Sequence, residues 1–140
     1  MELIRVLIVE DNPVDALFLK EALGEITSTK FSLTHAETIA DARKCLEKEA
    51  FDVITLDLGL PDAQGIETFL EIKKVNPDIP VVVLSGLDDE TVAIQSVREG
   101  AQDYLLKDKY DGYLLSRSIT FAIERKLTEK ALRRAQQRFE

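Results

Sequence analysis

The chain has 140 residues, 45% hydrophobic and 31% charged, a length and balance that suit one globular domain with a sizeable core. No apolar run reaches the roughly 18 residues that a membrane helix needs, and the opening Met-Glu-Leu-Ile-Arg lacks a secretory layout. A single cysteine, Cys45, excludes an internal disulfide, and without a Cys/His cluster there is no zinc site, so a cytoplasmic protein is expected.

The formal charge of −8 is unevenly placed. Residues 124–140 hold six basic residues against three acids, a net of +3, which leaves −11 for the rest. An acidic body repels phosphate backbones, so direct binding of nucleic acid is not expected.

Leu3 to Val9 is nearly continuous apolar sequence, as a strand buried on both faces would be. It runs into Glu10-Asp11-Asn12-Pro13, where Asp11 or Asn12 can cap a helix and Pro13 suits its first turn. Val14, Leu17, Phe18 and Ala22 predict the inner face of that helix, and Gly24 its end. Phe31 to His35 alternates as a strand nearer the sheet edge. Thr38 then caps a second helix with an inner face of Ile39, Ala42, Leu46 and Ala50. Val53-Ile54-Thr55-Leu56-Asp57 is a third, buried strand that delivers one carboxylate to its carboxyl end. A helix is predicted over Gln64–Val75 with Ile66, Phe69 and Leu70 inward, stopped by Asn76-Pro77. Ile79 to Leu84 is the next buried strand, ending at Ser85-Gly86. Asp88, Asp89 and Glu90 favour the positive start of a fourth helix that Gly100 closes. Tyr104-Leu105-Leu106 forms a fifth strand ending at Lys107, and a last helix starts near Asp111.

Five strands alternating with five helices predict an α/β fold with a doubly wound parallel sheet of order 2-1-3-4-5. Parallel strands share one carboxyl edge, so Glu10, Asp11, Asp57, Ser85 and Lys107 should meet there. Three crowded carboxylates raise one another's pKa or demand a cation. Oxygen-only ligands call for a hard ion, Mg²⁺ rather than Zn²⁺.

Glu10-Asp11, Asp57 with Pro61 and Gly65 after it, Ser85-Gly86, and Tyr104 three residues before Lys107 resemble a response-regulator receiver domain of flavodoxin-like fold over roughly residues 4–125. The resemblance implies that Asp57 is the phosphoacceptor in two-component signalling, taking a phosphoryl group from a histidine kinase or a histidine phosphotransfer protein. Asp11 would bind Mg²⁺ directly, Glu10 through water, with Asp57 and the backbone carbonyl of Gly59 completing the protein ligands. Lys107 would meet the phosphoryl oxygens, while Ser85 and Tyr104 would act as the switch that alters the partner-binding face. Such a domain assists only its own phosphorylation and dephosphorylation and is not otherwise an enzyme. Gly59 and Leu87 stand where the family tunes acyl-phosphate lifetime, and their effects oppose each other.

One departure is Asp108, where the family usually has proline after the lysine in a cis peptide. A cis bond without proline costs about 2.5–4 kcal/mol, so either that strain is borne or the bond is trans and Lys107 approaches differently. A flavodoxin-like nucleotide binder is disfavoured, because Glu10-Asp11-Asn12-Pro13 offers phosphate repulsion where backbone donors are needed. A Mg²⁺-dependent aspartyl phosphatase would need a cap segment that the chain does not have. A receiver-like interaction module that never takes phosphate rests on Asp108 alone. His35 and Cys45 read as a strand-end histidine and a half-buried thiol.

Leu115, Ile119, Ile123, Leu127, Ala131, Ala135 and Phe139 recur every four residues. A helix of about 28 residues spans about 42 Å, longer than a small domain is wide. Residues 1–125 are therefore expected to form the receiver and 126–140 to continue its last helix as a linker or pairing helix. That stretch would form a homodimer or lead into a downstream output domain. Glu129 to Glu140 is similar to the helix that precedes PAS sensory domains.

Overall fold

Apolar strands alternate with helices throughout the computed structural model, which describes residues 3–138. In chain order it contains β1 (Leu3–Val9), α1 (Pro13–Gly24), β2 (Lys30–Ala36), α2 (Ile39–Lys48) and β3 (Val53–Asp57). The two-residue strands β4 (Gly59–Leu60) and β5 (Ala63–Gln64) follow, then α3 (Ile66–Val75) and β6 (Val81–Ser85). A 3-10 turn (Leu87–Asp89), α4 (Glu90–Arg98), β7 (Asp103–Leu106) and α5 (Gly112–Arg138) complete it. The main sheet has the order β2-β1-β3-β6-β7 with every pair parallel. β4 and β5 pair only with each other, so the five main strands in chain order lie 2-1-3-4-5, as expected.

The pleat sorts the core into two layers, because successive side chains point to opposite faces. Ile4, Val6, Ile8, Val53, Val82, Leu84 and Leu105 face Leu19 and Leu23 of α1 and Leu115 and Ile119 of α5. Leu7, Val9, Ile54, Leu56, Val81 and Val83 face Ile39 and Ala42 of α2, Phe69 and Ile72 of α3, and Ala93 of α4. Among the described residues no helix is long and apolar enough to cross a membrane.

Local capping follows the expected chemistry. The Asn12 side chain accepts from the Val14 and Asp15 N–H groups at 2.9 and 3.2 Å, and Pro13 opens α1. The Thr38 hydroxyl accepts from Asp41 N–H at 3.0 Å to start α2.

Several details differ from the expectations. α1 buries Ala16, Leu19, Ala22 and Leu23, whereas Val14, Leu17 and Phe18 are 72%, 55% and 48% exposed. Apolar residues surround this helix, so periodicity alone could not choose its inner face. α2 ends at Lys48, which leaves Ala50 exposed outside it. α3 begins at Ile66 because Ala63 and Gln64 are used in the small ribbon. β6 begins at Val81, since Pro80 has no N–H for the ladder and contributes only its carbonyl, to Ile54 N–H at 3.0 Å.

The last helix shows why a four-residue repeat is not one face. Each step of four overshoots a turn by about 40°. Leu115 and Ile119 are fully buried, while Leu127 is 57% exposed. The extension still touches the domain, through Arg133 to Asp78 at 3.2 Å and Gln102 to Glu129 at 3.3 Å. Its contacts are thus with the loops at the amino edge of the sheet. Phe139 lies outside the described residues.

Candidate functional site

The same pleat that builds the core aims the polar strand ends. Glu10 continues the parity of Ile4, Val6 and Ile8, and Asp57 that of Val53 and Thr55. Lys107 continues the parity of Asp103 and Leu105. All three therefore emerge on the α1/α5 side of the carboxyl edge. The Glu10 backbone is held there by its N–H to the Ala36 carbonyl at 3.0 Å and by the His35 ring nitrogen on its own carbonyl at 2.6 Å. Lys107 N–H donates to the Ser85 carbonyl at 2.9 Å, extending the β6–β7 ladder by one residue. After Asp57 the chain is pinned by two donors on the Leu58 carbonyl: Gly65 N–H at 2.8 Å and the Thr68 hydroxyl at 2.9 Å. Gly65 has φ +64°, a left-handed conformation that favours glycine.

One carboxylate oxygen from each of Glu10, Asp11 and Asp57 lies within 4.8 Å of the others. Glu10 and Asp57 are buried, at 2% and 8% exposure, and Asp11 is the most open of the three. Lys107 Nζ reaches Asp15 at 2.9 Å, Glu10 at 3.0 Å and Asp57 at 3.1 Å. The other oxygen of Asp57 accepts from Gly59 N–H at 3.2 Å.

The electrostatics follow from burial and crowding. Burial, then the hydrogen bond and negative charge of Asp57, push the Glu10 carboxyl up to about 8, against the pull of Lys107. For Lys107, burial disfavours the charge, but Asp15, Glu10 and Asp57 outweigh it and hold the ammonium pKa above its ordinary value. Tyr110 is pushed up to about 12 by burial and by the charges of Asp15 and Glu10, partly offset by Lys107. Its ring meets Phe18 edge to face at 5.2 Å. Together with Val14, Asp15, Leu84 and Asp108 these residues line a cleft of about 280 Å³ beside Glu10 and Lys107.

The donor set fits a small hard cation: all-oxygen, clustered, and with one carboxyl whose pKa is raised by burial and by the neighbouring Asp57. Glu10, Asp11 and Asp57 would hold such an ion. Lys107 supplies a single positive charge against four nearby carboxylates.

The structure brings Glu10, Asp11, Asp57 and Lys107 together, and Gly59 beside Asp57. It does so with no cis peptide among the described residues, so the Lys107–Asp108 bond is trans and the lysine still reaches Asp57. Ser85 and Tyr104 sit differently. Ser85 shares the parity of Val81 and Val83 on the other face, and its hydroxyl donates to the Gly86 carbonyl at 3.0 Å. Tyr104 is half-buried over α4, where its hydroxyl donates to Glu90 at 2.9 Å, which raises the phenol pKa.

Two residues were missed by sequence reasoning. Asp15 is the third carboxylate on Lys107, and its only signal is a position one helical turn beyond Asp11. Asp62, in the turn between β4 and β5, accepts from Ile39 N–H at 3.0 Å and Ala40 N–H at 3.1 Å. It thereby caps α2 from across the fold, and nothing in its neighbouring sequence signals that.

Comparison with known proteins agrees with this geometry. Residues 6–118 match the response regulator receiver domain family. The chain is 31% identical over 106 residues to the chemotaxis protein CheY of Thermotoga maritima, covering 74% of this chain and 84% of that protein. It is 36% identical over 103 residues to the transcriptional regulatory protein KdpE of Staphylococcus aureus, covering 74% of this chain and 43% of that one. It thus spans less than half the length of the latter relative. The signal receiver domain of a putative LuxO repressor protein from Vibrio parahaemolyticus superposes with a TM-score of 0.75 at 26% identity, covering 91% of this chain and 95% of that one. A parallel 2-1-3-4-5 sheet with acids and a lysine gathered at its carboxyl edge, and a family match over most of its length, place this chain in the response regulator receiver domain family of two-component signalling.

Proposed function

We propose that Asp57 is the phosphoacceptor of this receiver. The observation that carries the reading is Asp57 itself, a buried carboxylate 3.1 Å from Lys107 Nζ with its other oxygen on Gly59 N–H. A carboxylate oxygen of Asp57 attacks the phosphorus of a phosphohistidine on a histidine kinase or phosphotransfer protein. The new P–O bond forms as the P–N bond breaks, and the imidazole nitrogen keeps the bonding electrons. Lys107 takes up negative charge on the phosphoryl oxygens as a compact ammonium. Asp11 directly and Glu10 through water, with Asp57 and the Gly59 carbonyl, would hold Mg²⁺, which would supply positive charge to offset that on the transferring group. After transfer the Ser85 hydroxyl leaves the Gly86 carbonyl for a phosphoryl oxygen, and Tyr104 moves with it. The face of α4, β7 and α5 then changes its partner preference, a local charge change biasing a two-state element.

Residues 1–125 act as the receiver and 126–140 as a continuation of the last helix that pairs with a second copy or joins an output domain. The chain works inside the cell as a signalling module, its catalysis limited to its own phosphoryl group. Intact-mass spectrometry after incubation with acetyl phosphate and Mg²⁺ tests the reading, with Asp57→Asn as the control. Wild type should gain one phosphoryl group and the variant none. No gain in wild type, under conditions that modify a known receiver, would leave an interaction module that is never phosphorylated.

A further inference from the structure

An ammonium group has three N–H donors. Lys107 Nζ donates to Asp15 on α1 at 2.9 Å and to Asp57 on β3 at 3.1 Å, and it forms an ion pair with Glu10 after β1 at 3.0 Å. The Asp15 contact is the shortest, and Asp15 stands on a well-anchored turn. Its own N–H and that of Val14 donate to the Asn12 side chain, and Pro13 fixes the first helical φ. The Lys107 backbone is held too, by its N–H on the Ser85 carbonyl and by Lys109 N–H on the Leu106 carbonyl, both at 2.9 Å, but its long flexible side chain must be aimed by what the ammonium meets.

We propose that Asp15 is a positioning residue for Lys107, holding the ammonium over Asp57 from the α1 side. This rests on the phosphoacceptor reading for its consequence, though not for its geometry. The rival account is that Asp15 merely complements the positive start of α1. The two accounts predict opposite signs. If Asp15 were only one more negative charge, neutralising it would speed reaction with an anionic donor. If it positions Lys107, neutralising it slows that reaction.

The experiment uses Asp15→Ala, the near-isosteric Asp15→Asn and the charge-retaining Asp15→Glu, each checked for cooperative unfolding. First, brief labelling with acetic anhydride is read residue by residue by peptide mass spectrometry. Lys107 labelling should rise about threefold or more in the alanine and asparagine variants once a charge-assisted bond is lost, with Lys20 and Lys109 unchanged. Second, initial phosphorylation by acetyl phosphate with Mg²⁺ should fall about tenfold in both variants and recover partly in Asp15→Glu. Unchanged Lys107 labelling in folded variants overturns the proposal, as does a phosphorylation rate equal to or above wild type. A wild type that takes no phosphoryl group sinks the phosphoacceptor reading instead, and the labelling alone then decides whether Asp15 holds Lys107.

Discussion

Replacing Lys107 by methionine keeps an unbranched apolar stem but removes the positive charge that Glu10, Asp15 and Asp57 share. Two effects of opposite sign follow. Without metal, the carboxylates lose their common counter-ion. For a fully buried pair that costs about 3–5 kcal/mol. Here Lys107 and Asp15 keep 21% and 35% of their side-chain exposure, and Glu10 is already inclined to take a proton, so about 2 kcal/mol is expected. With a divalent cation the balance reverses. An ion held by Glu10, Asp11 and Asp57 would share two carboxylates with the ammonium, which sets a separation on the order of 4–5 Å. Repulsion between charges of +2 and +1 at that distance is about 2 kcal/mol even at the dielectric of water. Lys107→Met should therefore bind Mg²⁺ about tenfold to thirtyfold more tightly than wild type while being less stable without it. Isothermal titration in low salt gives the affinity, and urea unfolding with and without Mg²⁺ gives the stability. Equal or weaker Mg²⁺ binding by the variant would refute the view that lysine and metal compete for one acidic pocket.

Three further perturbations probe the scaffold. A Cβ on Gly112 would collide with the Ala22 carbonyl at the α1–α5 seam, so Gly112→Ala should cost about 1–3 kcal/mol, read as a fall of several degrees in Tm; an unchanged Tm would mean that the seam yields. Asp62→Ala removes the long-range cap of α2 and should cost about 1 kcal/mol, discounted for exposure. Slight burial opposes the shift, but the Ile39 and Ala40 N–H groups hold the Asp62 pKa below its ordinary 3.8. The wild-type advantage should thus be complete above pH 3.8 and vanish as pH falls through the lowered folded-state value, and a pH-independent difference would sink the assignment. Deleting residues 126–140 removes the Arg133–Asp78 and Gln102–Glu129 contacts but none of Leu115, Ile119 or Ala122. The shortened chain should lose about 1–2 kcal/mol and any helix-mediated pairing while keeping its Mg²⁺ affinity; failure to fold would move the domain boundary.

Much of this protein was readable before folding was considered. Nearly continuous apolar runs at Leu3–Val9, Val53–Leu56 and Val81–Leu84 mark central strands, because a strand covered on both faces tolerates that pattern. Asn12 and Thr38 cap their helices through bonds to residues two or three places away, and Pro13 fixes the first helical φ, all of it local chemistry. The gathering of Glu10, Asp11, Asp57 and Lys107 was readable too, since parallel strands bring their carboxyl ends to one edge.

What tertiary structure decided is every contact between elements that sequence spacing does not relate. The inner face of α1 was settled by how α1 docks against the sheet and α5, not by its own apolar pattern. Ser85 and Tyr104 share the carboxyl edge with Asp57, yet the pleat turns them to the other face. Asp62 caps a helix that begins 23 residues earlier, and Asp15 meets Lys107 across 92 residues. Strand ends follow from local parity and chain direction, which the sequence encodes residue by residue. The partners of Lys107 depend on where whole helices come to rest, and that is determined only when the two layers pack.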